Sequence, residues 1–486
     1  MQATIATATL VGVDAVPVEV QADVSPGLPL FGIVGLADAA VQEARDRVRA
    51  ALRSSGYDFP NARVIVNLAP APLRKHGTGF DLPIALAVLC ATRQLSADAF
   101  HDVSAVGELG LDGTVRTVPG MLAHALAASE QGRDLLGPAM ASGIVGAVPE
   151  LRYRPVSSIG GVRMGLPAEH RCHDVPALGS VAPAVDLSDV AGHAAAKRCL
   201  EIAAAGGHNL LLVGPPGSGK TMLARALCGL LPPLAPTERL EAAVVHSVAG
   251  RDPMPSLSGI RPFRAPHHSC SIAGLVGGGT PPLPGEVSLA HTGVLFLDEL
   301  PEFGPAALQA LRQPIEEGAV TLVRANGAIR YPARVTLVAA MNPCPCGYAG
   351  DPERQCTCTP AAVDRYGNRV GGPLYDRMDM SIRVDRVDPA LLIGRGEVSE
   401  RTDTARTRVR NARTYALERP SRDLRRSLDG EARRLLETAA RQTHLSGRAV
   451  TRLMRVARTI ADLSEEPTIT EAHVSEALGY RAWEYR

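Results

Sequence analysis

The chain has 486 residues, with 51 basic and 50 acidic side chains and a formal net charge of +1. That length predicts more than one domain, and so balanced a charge offers no global electrostatic argument for nucleic acid or a membrane surface. No apolar run is long enough to span a bilayer, and the N-terminus lacks the basic region of a secretory leader, so a cytoplasmic protein without a membrane partner is expected.

Residues 1–165 alternate strand patterns such as Arg63–Leu68 with helical runs at Ala39–Ser54 and Asp81–Ala91. This predicts an α/β domain with no nucleotide motif of its own. Residues 166–185 lack periodicity, contain three prolines and read as a linker.

Residues 186–385 carry the chemistry. The apolar run Leu210–Val213 leads into G-P-P-G-S-G-K-T, and a helix is expected over Met222–Leu231. Strand, glycine loop and helix in this order form a phosphate-binding P-loop. Gly214, Gly217 and Gly219 let the backbone curve, with Pro215, Pro216 and Ser218 completing the cradle. Lys220 can then reach the β/γ-phosphates and the Thr221 hydroxyl can bind Mg²⁺. ATP and Mg²⁺ are the expected cofactors.

Gly293–Glu299, G-V-L-F-L-D-E, reads as a buried strand that delivers Asp298 and Glu299 at its carboxyl end, where ligands of open α/β sheets sit. Asp298 suits the Mg²⁺ shell, and Glu299 can polarise a water for in-line attack. Val335–Asn342 delivers Asn342 in the same way; the alternative is a plain strand-terminating asparagine. Arg377, in L-Y-D-R-M-D, lies too far along the chain to belong to the P-loop cradle and suits a trans-acting arginine. Arg448, at the start of a helix in S-G-R, can reach nucleotide from a lid. Taken singly, either arginine also suits an ordinary surface ion pair.

These motifs, in this order, resemble an AAA+ ATPase. The longer stretches A-A-A-G-G-H-N-L-L-L-V-G-P-P-G-S-G-K-T, F-R-A-P-H-H-S, A-H-T-G-V-L-F-L-D-E-L-P-E-F and A-A-M-N-P-C-P-C-G resemble the ComM/YifB family of magnesium chelatase-like proteins over nearly the whole chain. The resemblance implies an AAA+ P-loop α/β core with a parallel sheet and a C-terminal helical lid over 386–486. It further implies a ring, expected to be a homohexamer, that uses ATP to translocate on single-stranded or branched DNA and promotes branch migration in recombination or natural transformation. Under it, Lys220 and Thr221 are Walker A, Asp298 and Glu299 Walker B, Asn342 sensor 1, Arg377 the arginine finger and Arg448 sensor 2.

Thr321–Pro332 reads as a β-hairpin with Asn326-Gly327 at its turn. The resemblance makes it a pore hairpin, with Arg324 and Arg330 flanking the tip as DNA contacts; ordinary surface arginines are the alternative. His267 and His268 lie in a glycine- and proline-rich insert, where a packed or hydrogen-bonded pair is the plainer reading. The C-terminal arginines Arg406, Arg408, Arg410 and Arg413 read as solvated helical faces or subunit contacts before DNA contacts. In the same region helices are expected over Arg422–Thr443, Ser446–Leu463 and Thr470–Trp483.

Cys344, Cys346, Cys356 and Cys358 form C-x-C-x₉-C-x-C, which can converge four thiolates on one Zn²⁺. Free structural thiols or a redox pair remain alternatives. Finally, Lys75–Ile84 and Gly107–Gly120 resemble the Lon-protease fold, whose Ser–Lys dyad would cleave peptides. On that match Gly79 stands in place of the serine and Leu122 in place of the lysine, so peptide hydrolysis is not expected. The domain then serves assembly, DNA binding or structure alone. Two rivals follow: a chelatase-type motor that remodels a protein partner, against which the Lon-like domain counts, and an ATP-dependent protease.

Overall fold

The computed structural model describes residues 1–170, 185–324, 327–393, 400–419 and 423–481. Most of the linker, and the Asn326 and Trp483 positions, lie outside the described residues.

Alternation of apolar and polar residues drives Gln2–Val11 and Asp14–Ser25 into a long antiparallel pair about the turn at Gly12. They sit inside a seven-stranded mixed sheet, ordered Leu30–Val34, Arg63–Ala69, Asp14–Ser25, Gln2–Val11, Val103–Ala105, Asp134–Pro138, Tyr153–Val156. Helices form at Ala39–Ser54 and Asp81–Ala91, as the periodicity predicts. The first is capped by Asp38, whose Oδ1 accepts from the Val41 N–H at 2.9 Å. The second is buried along its whole length, so it needs no polar face. Its one charged residue, Asp81, is held by Arg47 at 2.7 and 2.9 Å. Burial still raises the Asp81 pKa, against the opposing effect of Arg47.

The second sheet is five-stranded and wholly parallel: Phe263–Arg264, Val294–Leu297, Thr336–Met341, Leu210–Val213, Met380–Arg383. Its inner strands are apolar and buried on both faces, as parallel strands covered by helices must be. The crossover leaving the P-loop strand runs toward Phe263–Arg264, whereas that leaving its neighbour Thr336–Met341 runs the opposite way to Met380–Arg383, so the two connections diverge there. Ligands of open α/β sheets bind beside such a point. The expected strands over 293–299 and 335–342 shorten to Val294–Leu297 and Thr336–Met341, which leaves Asp298, Glu299 and Asn342 just beyond the strand ends.

Four C-terminal helices, Thr402–Glu418, Gly430–Gln442, Gly447–Leu463 and Glu471–Gly479, cover one face of the core. Leu436, Leu453 and Ala457 share a hydrophobic cluster with Leu200, Leu223 and Val294. The helix expected over Arg422–Thr443 starts at Gly430, because Asp429 caps it by accepting from the Ala432 N–H at 2.7 Å. The P-loop helix starts earlier than expected, at Lys220. Ser446 caps the third helix, and the last ends at Gly479. Two C-terminal arginines, Arg406 and Arg413, are turned onto core carbonyls rather than simply solvated, whereas Arg408 is exposed and paired with acids. Arg413 donates to Ala204 O, Arg406 to Gly229 O, and Arg408 pairs with Glu201 and Glu400. Arg410 is exposed.

A separate hydrophobic cluster joins the two sheet systems. Met121, Leu122 and Ala125 pack against Ala243, Val244 and Val248 of the Pro236–Val248 helix. Gly120 N donates to Ser247 O at 2.8 Å.

Candidate nucleotide site and its surroundings

Gly214 begins the loop where no side chain fits: a Cβ there would stand 2.0 Å from Val384 O. Gly217 and Gly219 take φ of +78° and +85°, conformations that glycine adopts at little cost. The loop therefore turns back over the end of its strand and into the Lys220–Leu230 helix.

Lys220 is buried and folds over this loop. Its Nζ donates to Gly214 O at 2.7 Å, to Pro215 O at 2.9 Å and to Asn342 Oδ1 at 3.3 Å. Burial lowers its pKa, while Asp298 and Glu299 oppose that shift. Thr221 Oγ1 donates to Asp298 Oδ2 at 2.9 Å, so the two residues read as Mg²⁺ ligands lie together. Ser218 Oγ and His193 Nε2 are buried without a hydrogen-bond partner. A phosphate-bearing ligand would satisfy such groups, and their orphaning fits a nucleotide site. His193 lies against Gly219 and escaped the sequence reading: a Cβ on that glycine would sit 3.8 Å from His193 Nε2. No motif marks it; a lone histidine before a helix is a weak signal.

Glu299 has φ +51°, uncommon for a non-glycine residue and a form of strain that recurs at functional sites. Its carboxylate is exposed and faces His268 Nδ1 at 3.3 Å. The His267 and His268 rings meet at a tilt of 35° with centroids 4.0 Å apart, and His267 Nδ1 lies 2.8 Å from Ser269 Oγ. The first member is hydrogen-bonded, one of the forms its plainer reading allows, and the second also faces Glu299.

Arg377 sits elsewhere. Asn209, immediately before the P-loop strand, accepts from Leu337 N at 2.9 Å and donates through Nδ2 to Arg377 O at 3.0 Å. Five residues of extended chain separate Asn209 from Gly214, about 17 Å at the usual strand rise. The Arg377 backbone is therefore fixed at the end of the sheet opposite its own P-loop. The guanidinium donates to Arg312 O at 3.1 Å, Pro373 O at 2.6 Å and Glu316 Oε2 at 2.6 Å. Arg448 faces the other oxygen of Glu316 at 3.9 Å and is well exposed. The structure thus groups Lys220, Thr221, Asp298 and Asn342 at one end, with Glu299 beside them, and Arg377 with Arg448 at the other.

The hairpin pairs Ala319–Arg324 with Gly327–Pro332. Val323, Arg324 and Arg330 are exposed, and Arg324 Nη2 donates to Gly279 O at 3.3 Å. The hairpin also leans on the N-terminal sheet, since a Cβ on Gly12 would meet Ile329 Cγ2 at 3.0 Å. A cavity of about 910 Å³ lies between them, lined by Arg74, His76, Gly79, His124, Arg324 and Ile329 among others. Gly79, the serine position of the protease match, opens onto it. Leu122, the lysine position, is fully buried under Ser247, whose Oγ accepts from the Leu122 N–H at 3.4 Å. Lys75 is buried too and donates to Pro70 O, while Ser25 lies in the Asp14–Ser25 strand, in register with Arg63.

The four cysteine sulfurs lie within 4.8 Å of one another. Cys344 Sγ is 3.3 Å from Cys346 Sγ and 3.7 Å from Cys356 Sγ, and the Cys346 to Cys356 distance is 3.5 Å. Tetrahedral zinc with sulfur ligands at about 2.3 Å places sulfurs about 3.8 Å apart, so the cluster fits the ion. Backbone N–H groups of Ala349, Cys346 and Cys358 point at sulfurs from 3.3–3.4 Å, the outer support thiolates need. The cysteine loop touches the P-loop: a Cβ on Gly347 would meet Pro216 at 2.6 Å.

Among the described residues no helix is long and apolar enough to cross a membrane. The family described as magnesium chelatase, subunit ChlI, matches residues 186–392. Its C-terminal counterpart matches 397–481, and residues 20–140 match a family described as subunit ChlI of Mg-chelatase. That last match reaches into the N-terminal domain. YifB of Escherichia coli strain K12 is 44% identical over 98% of this chain and 96% of its own. Competence protein ComM of Haemophilus influenzae is 42% identical over 97% of this chain and 96% of its own. With a P-loop at the switch point of a parallel sheet, a helical C-terminal segment and relatives alike from end to end, the chain belongs to the ComM/YifB family of magnesium chelatase-like AAA+ ATPases.

Proposed function

We propose that the protein is an ATP-driven DNA motor, working as a homohexameric ring that promotes branch migration in recombination or natural transformation. The observation that carries this reading is the anchoring of Arg377 at the far end of the P-loop strand. Held there, Arg377 lies away from its own P-loop and completes the site of a neighbour instead. The hairpin supports the DNA part, since it connects the strand before Asp298 to the strand before Asn342 and exposes Arg330. The name of the Haemophilus relative, a competence protein, points the same way.

In this mechanism the P-loop amides and Lys220 hold the β/γ-phosphates, and Lys220 exchanges its loop carbonyls for them. Thr221 and Asp298 hold Mg²⁺, which when bound neutralises phosphate charge. Glu299 takes a proton from the attacking water, and Asn342 orients that water. Arg377 of the neighbouring subunit stabilises charge on the transferred group. The cysteine cluster holds zinc and stiffens the loop that follows Asn342, and Arg324 and Arg330 meet DNA phosphates.

The test is migration of a branched DNA by the pure protein and by Glu299→Gln. ATP-dependent migration by the wild type alone is expected. Its absence from the wild type sinks the branch-migration reading and leaves the ATPase untouched. A second reading, a motor that remodels a protein partner, is favoured by the chelatase-named match to residues 20–140. ATP hydrolysis indifferent to any DNA would select it.

A further inference from the structure

Glu316 lies outside every recognised ATPase motif, yet its carboxylate joins two arginines read as nucleotide contacts. Oε2 accepts from Arg377 at 2.6 Å, and Oε1 faces Arg448 at 3.9 Å. Arg377 is mostly buried, at 17% side-chain exposure, whereas Glu316 is 54% exposed. Two of the three acceptors around the Arg377 guanidinium, Arg312 O and Glu316, come from one short helix, Arg312–Glu317. That helix runs through Gly318 directly into the hairpin strand Ala319–Arg324. The third acceptor, Pro373 O, belongs to the arginine's own segment.

An ion pair with so exposed a partner adds little to stability. A trans-acting arginine is worth about 10³–10⁵ in rate. The weight of this contact therefore lies in where it points the guanidinium.

We propose that Glu316 is a positioning residue for the trans-acting arginine: it ties Arg377 to the root of the hairpin, so that hairpin movement and arginine placement at the neighbour's nucleotide are one motion. The proposal rests on the reading of Arg377 as acting in trans and of the hairpin as DNA-facing. A hairpin displaced by DNA carries the Arg312–Glu317 helix with it, and the helix carries the arginine.

Mixed rings test it, with ATP hydrolysis as the readout. Subunits with Lys220→Ala keep their arginine and lose their P-loop function; subunits with Arg377→Ala do the reverse. Mixing the two should restore hydrolysis that neither shows alone. Repeating the mixture with Lys220→Ala/Glu316→Gln as donor should lower the restored rate about tenfold or more, a fraction of what an arginine finger supplies. A Lys220→Ala/Glu316→Asp donor, which keeps the charge, should stay within about threefold of the unmodified donor. Light scattering checks that every variant assembles to the wild-type mass.

Equal restoration by the Gln donor overturns the role of Glu316 and leaves Arg377 in place. No restoration by any donor overturns the trans reading itself and the proposal with it. Loss of assembly in the Glu316→Gln donor also overturns it, because the contact would then be structural. A further arm reads the hairpin link. In otherwise wild-type rings, Glu316→Gln should lower the ratio of hydrolysis with single-stranded DNA to hydrolysis without it. A wild type indifferent to DNA removes the DNA-facing reading while the mixing result still judges Glu316.

Discussion

Lys220 donates to Asn342 Oδ1 at 3.3 Å. One hydrogen bond thus spans two adjacent parallel strands and joins the phosphate-binding loop to the residue read as the sensor. Under the proposed mechanism, Lys220 moving onto phosphate would release Asn342 from this donor and free its amide to meet water.

That relationship separates two variants. Lys220→Ala removes the phosphate contact and is expected to lose nucleotide binding, measured with a fluorescent ATP analogue. Asn342→Ala should bind the analogue normally and lower kcat by about a hundredfold, the usual cost of one preorganised polar contact in a reaction centre. Weak binding by Asn342→Ala would show that the amide holds the loop rather than the water.

The cysteine cluster gives a second outcome. Elemental analysis should find one zinc per chain, lost on treatment with a strong chelator at mildly acidic pH, where thiolates are protonated. Because the loop at Gly347 packs on Pro216, loss of the ion should also weaken nucleotide binding. Cys356→Ser should reproduce both effects. A protein that binds no zinc, with unchanged nucleotide affinity in Cys356→Ser, would leave four plain thiols.

Much of this site is legible in the sequence because local chemistry dictates it. Gly217 and Gly219 need positive φ, and Val294–Leu297 has no polar residue with which to face water, so loop and strand follow from composition. What stays hidden arises from long-range packing. His268 meets Glu299 across 31 positions, and Glu316 meets Arg377 across 61; neither pair leaves a spacing that a helix or strand would impose. Arg413 misleads for the same reason. Arg413 lies on a polar-looking helix, but the neighbouring Ala194–Gly206 helix offers it the Ala204 carbonyl at its end. The expected helix start at Arg422 missed because propensity alone does not show that Asp429 caps the turn.

The hairpin arginines should differ. Both are exposed, but Arg324 already donates to Gly279 O. Arg330→Ala is expected to weaken single-stranded DNA binding at every sequence and to reduce the slope of log affinity against log salt by about 0.7, one phosphate contact. Arg324→Ala should change the slope less. Fluorescence anisotropy across a salt series reads both, and equal slopes for Arg330→Ala and wild type would remove Arg330 from the DNA surface.

His124, beside the cavity between the two sheet systems, supplies a pH prediction. Burial lowers its pKa from 6.5 to about 4, so the folded protein holds it neutral where the unfolded chain protonates it. Its contribution to stability is complete above pH 6.5 and declines as pH falls toward 4. The loss is about 3 kcal/mol over that window at 1.36 kcal/mol per unit. Urea unfolding of His124→Leu should show a shallower decline with acidity than the wild type, and parallel declines would mean that other groups set the acid limit.

Restoring the protease groups should fail for a structural reason. Gly79→Ser places a hydroxyl at the cavity, but Leu122→Lys buries an ammonium among Met121, Val244 and Val248. An unpaired charge there costs several kcal/mol, enough to loosen the contact with the Pro236–Val248 helix. Leu122→Lys is therefore expected to lower the melting temperature, and the Gly79→Ser/Leu122→Lys protein to leave casein intact with ATP present. Cleavage by the double variant would mean that the helix above Leu122 moves aside, and it would return the N-terminal domain to the protease reading.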